Sequence, residues 1–334
     1  MLKITIAFII LTLISCHPHQ NNKQKGIKYL PEAKFKNSIS IRHKDSIKLK
    51  DVFHLTDWNI SHNKIITRNL EANNFIRVYS YPEFKWLYNY GKNGKGPEEW
   101  IVQNWGRAQN SEQIILYDIM RKSLCIFDTD SIKFKLSATY KLSSEDKLCP
   151  PFTQIKQFND SLFLLKEDEE ETYLHLMNLS NKHIYSSYKC KLRKKNKHSY
   201  TPFDYIFEIL GNNVMLAYCY MNRIEFLKID ESHSLIPFLI IGNDYNYSQI
   251  KNYNELPNHF LDICNYEDDF YCLLSKDATE KGNTICVFDC NGTPKKQIIL
   301  DQNVNKIKFA PDGILVTYKE KEKENIFYLY QLPD

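Results

Sequence analysis

The sequence predicts an all-β fold, a six-bladed β-propeller closed by an N-terminal strand in its last blade. Strand-like apolar runs recur in units of roughly 50 residues, a spacing found among propeller blades. The final unit lacks one strand, and an unassigned strand-like run, Ser46 to Lys50, precedes the first unit. Turn sequences such as Asn291-Gly292 and Pro311-Asp312-Gly313 lie between runs, and no long helical periodicity follows the N-terminal segment.

The first residues predict a secretory signal peptide over residues 1–15. Lys3 is followed by an apolar run from Ile4 to Ile14, which is too short to span a bilayer, and then by Ser15 and Cys16. The sequence Leu13-Ile14-Ser15-Cys16 resembles the lipobox of bacterial lipoproteins. This resemblance implies cleavage before Cys16 and lipidation of that cysteine, and the alternatives are an uncleaved anchor or a buried helix.

Residues 16–36 are predicted to be the lipidated cysteine and a flexible tether, because His17 to Lys28 contains no apolar cluster. Acyl chains on Cys16 would hold the protein on the membrane, so the lipid is the only membrane contact expected. No acidic residue occurs in His17 to Gln20, whereas some surface-exported lipoproteins carry acidic residues there. We therefore expect attachment to the bacterial outer membrane, with the domain facing the periplasm.

The repeats fill the remaining domain, residues 37–334. One copy comprises Ile114 to Asp118, Leu124 to Asp128 and Ala138 to Leu142. Related copies span Lys64 to Tyr90, Ser161 to Cys190, Val214 to Ile241 and Phe270 to Leu300. The last copy, Gly313 to Leu332, has no room for an outer strand, and Ser46 to Lys50 can supply it and cover an exposed edge. Two stacked sandwiches are the alternative, but they do not predict an open last repeat.

A glycine-rich segment, Gly91 to Trp100, reads Gly-Lys-Asn-Gly-Lys-Gly-Pro-Glu-Glu-Trp. It is similar to the Gly-x-x-Gly-x-Gly-Pro-x-Glu-aromatic loop of the TolB-like six-bladed propeller lipoproteins, relatives in shape of NHL-repeat proteins. The resemblance implies that this loop joins the outer strand of one blade to the innermost strand of the next. The residues expected to shape it are Gly91, Gly94, Gly96 and Pro97.

Two positions of this loop depart from the family pattern, because Trp100 stands where phenylalanine is usual and Glu98 where glycine is usual. A phosphate-binding loop is a poor alternative, since it requires lysine followed by serine or threonine at the start of a helix. Here Gly96 is followed by Pro97 and then by strand-like sequence.

Charge and cysteine usage exclude several classes of function. The 44 basic and 40 acidic residues nearly balance, and the basic ones cluster only at Lys189 to Lys197. Nucleic-acid binding requires a broader basic face, so no nucleic-acid partner is predicted.

Eight of the nine cysteines follow Cys16, and none has Cys-x-x-Cys spacing. Cys286 and Cys290 have no histidine nearby in sequence, so neither a metal site nor a cofactor is predicted.

The segments that enter the innermost strands of a propeller converge on one mouth of its central channel. The candidate ligand-binding residues in these segments are Asp57, Trp58, Trp105, Arg107, Asp204, Tyr205, His259 and Asp262. Aromatic rings with polar neighbours suit a glycan, a peptide or a protein partner. For each residue, packing within the ring is the alternative role.

The leading functional hypothesis is a membrane-tethered propeller that binds a ligand or protein without catalysis. The alternative is a hydrolase or lyase that acts on a glycan, peptide or lactone at the channel mouth. Neither a Gly-x-Ser-x-Gly nor a His-Glu-x-x-His motif is present. The mouth acids are Asp57, Asp204 and Asp262, and a close pair among them would favour the enzyme. The acidic run Glu167 to Glu171 is expected to be a solvated hairpin tip.

Overall fold

The computed structural model describes residues 26–49, 55–69, 74–96, 99–101, 103–108, 112–118, 120–130, 133–142, 152–168, 172–189, 204–242, 258–277, 279–321 and 324–333. The signal peptide and Cys16 predicted above lie outside the described residues, as do Lys50 and Pro97. Every regular element in the described ranges is a β-strand. Within them, no helix has the length and apolar character needed to cross a membrane.

The chain begins with three short strands, which together with their connections we call the N-terminal strap, residues 28–49. They are β1 (Lys28–Leu30), β2 (Asn37–Ile41) and β3 (Asp45–Leu49). Blades one to three follow along the chain. Blade one contains β4 (Leu55–Ser61), β5 (Lys64–Asn69), β6 (Asn74–Ser80) and β7 (Trp86–Asn93), with the short β8 (Glu99–Trp100) parallel to the end of β7. Blade two contains β9 (Gln103–Arg107), β10 (Gln113–Asp118), β11 (Ser123–Asp128) and β12 (Lys135–Lys141), and blade three contains β13 (Phe152–Gln157), β14 (Leu162–Asp168), β15 (Thr172–Asn178) and β16 (His183–Lys189).

Blades four to six repeat the same antiparallel meander. Blade four contains β17 (Tyr205–Leu210), β18 (Asn213–Tyr218), β19 (Arg223–Ile229) and β20 (Leu235–Gly242). Blade five contains β21 (Phe260–Tyr266), β22 (Asp269–Leu274), β23 (Gly282–Asp289) and β24 (Pro294–Val304). Blade six contains β25 (Lys306–Phe309), β26 (Leu315–Lys321) and β27 (Glu324–Tyr330). The predicted all-β six-bladed propeller is thus confirmed.

The position of a strand within its blade explains its sequence pattern. Middle strands such as β10 and β14 are buried on both faces between neighbouring blades, so they are nearly continuous apolar runs. Outer strands such as β16 alternate between exposed and half-buried residues, because one face meets solvent. Between the blades, the apolar side chains form packed clusters that fix the ring and so position its centre.

The N-terminal strap covers the outer edges of blades four, five and six. β1 pairs with β20 and β2 with β24, both in parallel, and β3 pairs antiparallel with β27. The last pairing is the one expected for Ser46 to Lys50, with Ile47 opposite Phe327. That it closes the ring against unfolding remains a prediction, which is developed in the Discussion.

The tether predicted over residues 16–36 extends too far toward the domain. Lys28–Leu30 forms a fifth strand on blade four, and Leu30 packs against its apolar cluster. Phe35 contacts Phe288 edge-on, with ring centroids 5.4 Å apart. Two apolar side chains and a short ladder of backbone hydrogen bonds therefore fix a segment whose composition is otherwise typical of a linker.

Blades two and three are joined at the channel by a direct strand pairing. β9 and β13, their innermost strands, run parallel and pair at Gly106 with Ile155 and at Arg107 with Lys156. A Cβ atom on Gly106 would lie 2.8 Å from the Cβ of Ile115 and 3.0 Å from the carbonyl oxygen of Ile155. Glycine is therefore required for the close approach of these strands.

Candidate functional site

The innermost strands of the six blades surround a central cavity of about 250 Å³. Five of the predicted site residues line it, namely Asp57, Trp58, Trp105, Arg107 and Asp262. The remaining charged residues of the lining are Arg68, Lys156, Lys306 and Lys308. Among the residues that the structure describes, the cavity lining is thus richer in cationic than in anionic side chains.

Three predicted site residues do not belong to this lining. Asp204 forms an ion pair with Lys166 instead. Tyr205 is fully buried and packs against Tyr218, with ring centroids 5.7 Å apart. His259 lies at the entrance of β21, where its backbone N–H donates a hydrogen bond to the carbonyl of Cys219. These residues stabilise the packing beside the cavity.

The aromatic residues around the cavity are buried in the ring. Trp58 is 0% exposed and meets Phe327 edge-on at 5.2 Å between centroids. Trp105 is 8% exposed and belongs to the apolar cluster between blades one and two. Their ring faces are therefore engaged in packing, and the open surface of the cavity is dominated by polar and charged groups.

One set of charged side chains, which we call the Glu208 group, consists of Arg107, Lys156, Glu208 and Asn265. Glu208 accepts a hydrogen bond from Nη1 of Arg107 at 2.6 Å and another from Nζ of Lys156 at 2.8 Å. Nη2 of Arg107 donates to Oδ1 of Asn265 at 2.7 Å. Arg107 thus reaches from blade two to blades four and five.

Electrostatics within the Glu208 group follow from burial and from these contacts. Burial disfavours the charged form of Glu208, but the neighbouring Arg107 and Lys156 outweigh it and lower the pKa of that carboxyl. Burial also lowers the pKa of Lys156, against the opposing effect of Glu208. The single carboxylate of this group therefore interacts with two cations and can neutralise the charge of only one of them.

The second set, which we call the Lys306 group, consists of Asp57, Arg68, Asp262, Lys306 and Lys308. Nζ of Lys306 lies 3.5 Å from Oδ1 of Asp57, which also accepts a hydrogen bond from the backbone N–H of Trp58 at 2.8 Å. Oδ2 of Asp262 accepts one from the N–H of Ile307 at 2.8 Å. Nζ of Lys308 lies over the ring of Trp58, 5.8 Å from its centroid.

The two carboxyl groups of the Lys306 group have opposite pKa shifts. Burial opposes ionisation of Asp57, but Lys306, Lys308 and the Trp58 N–H outweigh it and lower its pKa to about 2. Burial dominates at Asp262 and raises the pKa of that carboxyl, although the same two lysines oppose the shift. Both acids raise the pKa of Lys306 despite its burial.

Sequence reasoning missed Lys156, Glu208, Asn265 and Lys308, because it searched the segments that enter the innermost strands. These four residues lie in the second half of those strands. The signal that would have found two of them is a lysine after an isoleucine, Ile155-Lys156 and Ile307-Lys308, in a short strand bordering the channel.

The glycine-rich loop has a structural role next to blade one. It begins within the last residues of the outer strand β7 and ends before the innermost strand β9 of blade two, the position implied by the resemblance. Gly91 has a positive φ of 69°, and a Cβ there would lie 2.4 Å from the ring of Phe75. Arg121 donates hydrogen bonds to the carbonyls of Glu99 at 2.5 Å and Gly96 at 3.0 Å.

A family model described as TolB-like 6-blade propeller-like matches residues 34–312. The chain belongs to this family. Two solved structures share the fold of this TolB-like propeller. One is a candidate exported protein from Bacteroides fragilis NCTC 9343, 13% identical, with a TM-score of 0.53 over 90% of this chain and 100% of that chain. The other is the β-propeller domain of Cps50 (Swd1) from Myceliophteria thermophila, 6% identical, with a TM-score of 0.51 over 87% of this chain and 99% of that chain. At these identities the likeness shows the fold alone, and no curated protein matches the sequence.

Outside the cavity, this TolB-like propeller contains polar clusters that link strands within blade three. Two members of the acidic run lie in such clusters, because Glu167 accepts a hydrogen bond from His175 at 2.7 Å and Asp168 pairs with Lys166 at 2.8 Å. His175 also contacts Ser187 at 2.7 Å. The rest of the run, residues 169–171, lies outside the described residues. In the part of the chain that the structure describes, no three His, Cys, Asp or Glu side chains come together as a metal site.

Proposed function

We propose that this protein is an exported, lipid-anchored propeller that binds a small anionic ligand in its central cavity and does not transform it. The observation that supports this proposal is the excess of cationic over anionic side chains around the cavity. The cations are Arg68, Arg107, Lys156, Lys306 and Lys308, and the acids are Asp57, Asp262 and the neighbouring Glu208. In the described part of the site, cations therefore outnumber carboxylates even when every carboxylate is ionised.

An excess of cations in a partly enclosed site favours an anion for a physical reason. Burial of an ammonium or guanidinium group costs free energy that only partners of opposite charge offset. Glu208 is 2% exposed and is shared by Arg107 and Lys156, so neither cation has a carboxylate of its own. An anionic ligand would add charge-assisted hydrogen bonds where the protein's own acids are too few.

Two observations support export and anchoring. The Leu13-Ile14-Ser15-Cys16 sequence has the form of a lipobox, and one protein of similar structure, from Bacteroides fragilis, is described as a candidate exported protein. We propose an outer-membrane position facing the periplasm, with the lipid as the only membrane contact.

The binding proposal is tested by titration calorimetry and thermal melting with acetate, sulfate and phosphate at fixed ionic strength. We expect saturable binding by the mature protein and roughly tenfold weaker binding by Lys156→Met, the change expected when one hydrogen bond to a charged group is lost. The matched control is Lys228→Met on β19, an exposed lysine outside the cavity lining. The proposal would be overturned if the unmodified protein and both variants bound these anions equally, or if the protein bound neutral sugars instead.

One observation supports the alternative hypothesis of an enzyme. Asp57 and Asp262 have oppositely shifted pKa values beside Lys306, and paired carboxyls with separated pKa values can divide the roles of base and acid. Incubation with lactones, glycosides and peptides tests it. Product formation that is lost in both Asp57→Asn and Asp262→Asn would replace the binding proposal with a hydrolase or lyase.

A further inference from the structure

The charged residues of the cavity form two groups, and in each of them the described cationic side chains outnumber the described carboxylates. In the Glu208 group, Arg107 and Lys156 share the single carboxylate of Glu208. In the Lys306 group, three cations face two carboxyls, Asp57 and Asp262. Among the described residues, each group therefore contains one more cationic side chain than carboxyl groups.

The two groups are separated along the channel. Asp262 of the Lys306 group and Asn265 of the Glu208 group lie on the same strand, β21. Three residues of extended strand place their Cα atoms about 10 Å apart. The side chain of Asn265 accepts a hydrogen bond from Arg107. The side chain of Asp262 accepts one from the backbone N–H of Ile307 on β25. The groups thus occupy different levels of the same cavity.

From this arrangement we infer that the ligand is a small dianion with an acidic group at each end, of the class of linear dicarboxylates. This inference rests on the proposed anion-binding function. One acid would contact Arg107 and Lys156, and the other would contact Lys308. A cavity of about 250 Å³ has room for a small molecule of this kind.

Lys308 is suited to accept the second acid. Within the described residues it forms no ion pair, and its ammonium lies over the face of Trp58. Arg107 is suited to accept the first, because its side chain is 40% exposed while both terminal nitrogens are oriented by Glu208 and Asn265. The ligand would meet oriented donors at both levels, which limits the entropy cost of binding.

The inference is tested by calorimetry of the mature protein with succinate, glutarate and adipate, each compared with the monocarboxylate of equal carbon number at the same ionic strength. We expect the best dicarboxylate to bind roughly tenfold more tightly than its monocarboxylate, because one more charged hydrogen bond forms. Lys156→Met and Lys308→Met should each remove this advantage. Lys228→Met should keep it, and residual monocarboxylate binding shows that each variant is folded.

Two further outcomes separate this inference from the proposed function. Suppose that each dicarboxylate and its monocarboxylate bind with equal affinity, and that one substitution weakens the binding of both ligands to the same extent. The cavity then holds a single anion, so the inference is wrong while the proposed function stands. If no carboxylate binds the unmodified protein and neither substitution changes the titration, both are wrong.

Discussion

Removal of the N-terminal strap should destabilise the whole propeller. Seven apolar side chains of the strap pack against the core clusters: Leu30, Ala33, Phe35, Ile39, Ile41, Ile47 and Leu49. Full burial of a large apolar side chain contributes about 1.5–3 kcal/mol, and most of these are half-buried. At about 1 kcal/mol each the loss is about 7 kcal/mol, comparable with the entire net stability of a typical protein.

The test compares a chain that starts at Gly26 with one that starts at Asp51, by circular dichroism melting and by solubility. The first retains the strap and should melt as the mature protein does. The second loses the strap and uncovers the edges of β20, β24 and β27. We expect it to aggregate or to melt at least about 15 °C lower.

A point substitution gives the same test without deletion. Leu49 is 6% exposed in the cluster between blades six and one, so Leu49→Ala should cost about 2–4 kcal/mol. Ser46→Ala, on the exposed face of the same strand, should stay within about 0.5 kcal/mol. If the chain starting at Asp51 melts like the chain starting at Gly26, the strap does not close the ring and this reasoning is refuted.

Four further outcomes are expected. Cys16→Ser should release the protein from the membrane fraction, and unchanged fractionation would contradict lipid anchoring. Protease added to intact cells should leave the domain uncut if it faces the periplasm, and digestion would place it outside. Gly106→Ala should cost about 1–3 kcal/mol in denaturant unfolding, because the added Cβ would lie 2.8 Å from a buried side chain; equal stability would show that β9 can shift. The pKa of Asp57 is lowered from 3.8 to about 2, so the ionised carboxylate stabilises the folded protein fully above pH 3.8, and this stabilisation is lost as the pH falls through about 2. In melting curves recorded in acid, Asp57→Asn should not show this loss of stability.

The fold was predictable because repetition makes each strand pattern visible several times. The apolar runs at Ile114 and Val214 mark equivalent middle strands, and the missing outer strand of the last repeat identifies the role of Asp45–Leu49. The end of the tether was not predictable, since Lys28–Leu30 is too short to show a period and gains its strand conformation from β20.

The site was only partly predictable, because its contacts are long-range. Arg107 was predicted, but its partner Glu208 lies 101 residues away in the sequence and two blades away in the ring. No local pattern encodes such a pairing. The predicted aromatic character was misleading for a related reason: Trp58 and Trp105 border the cavity, but they are needed to fill the narrow space between neighbouring blades.

The strap also imposes an order on biosynthesis. Residues 28–49 leave the ribosome and cross the inner membrane first, if the protein is exported as proposed, yet their pairing partners lie in β20, β24 and β27, in the second half of the chain. Pairing across so much intervening chain is slow to form, and unpaired strands and apolar surface expose a nascent protein to aggregation. The strap must therefore wait, unpaired, until blades four to six have been delivered. A chaperone that holds this segment would protect it from aggregation until its pairing partners are available.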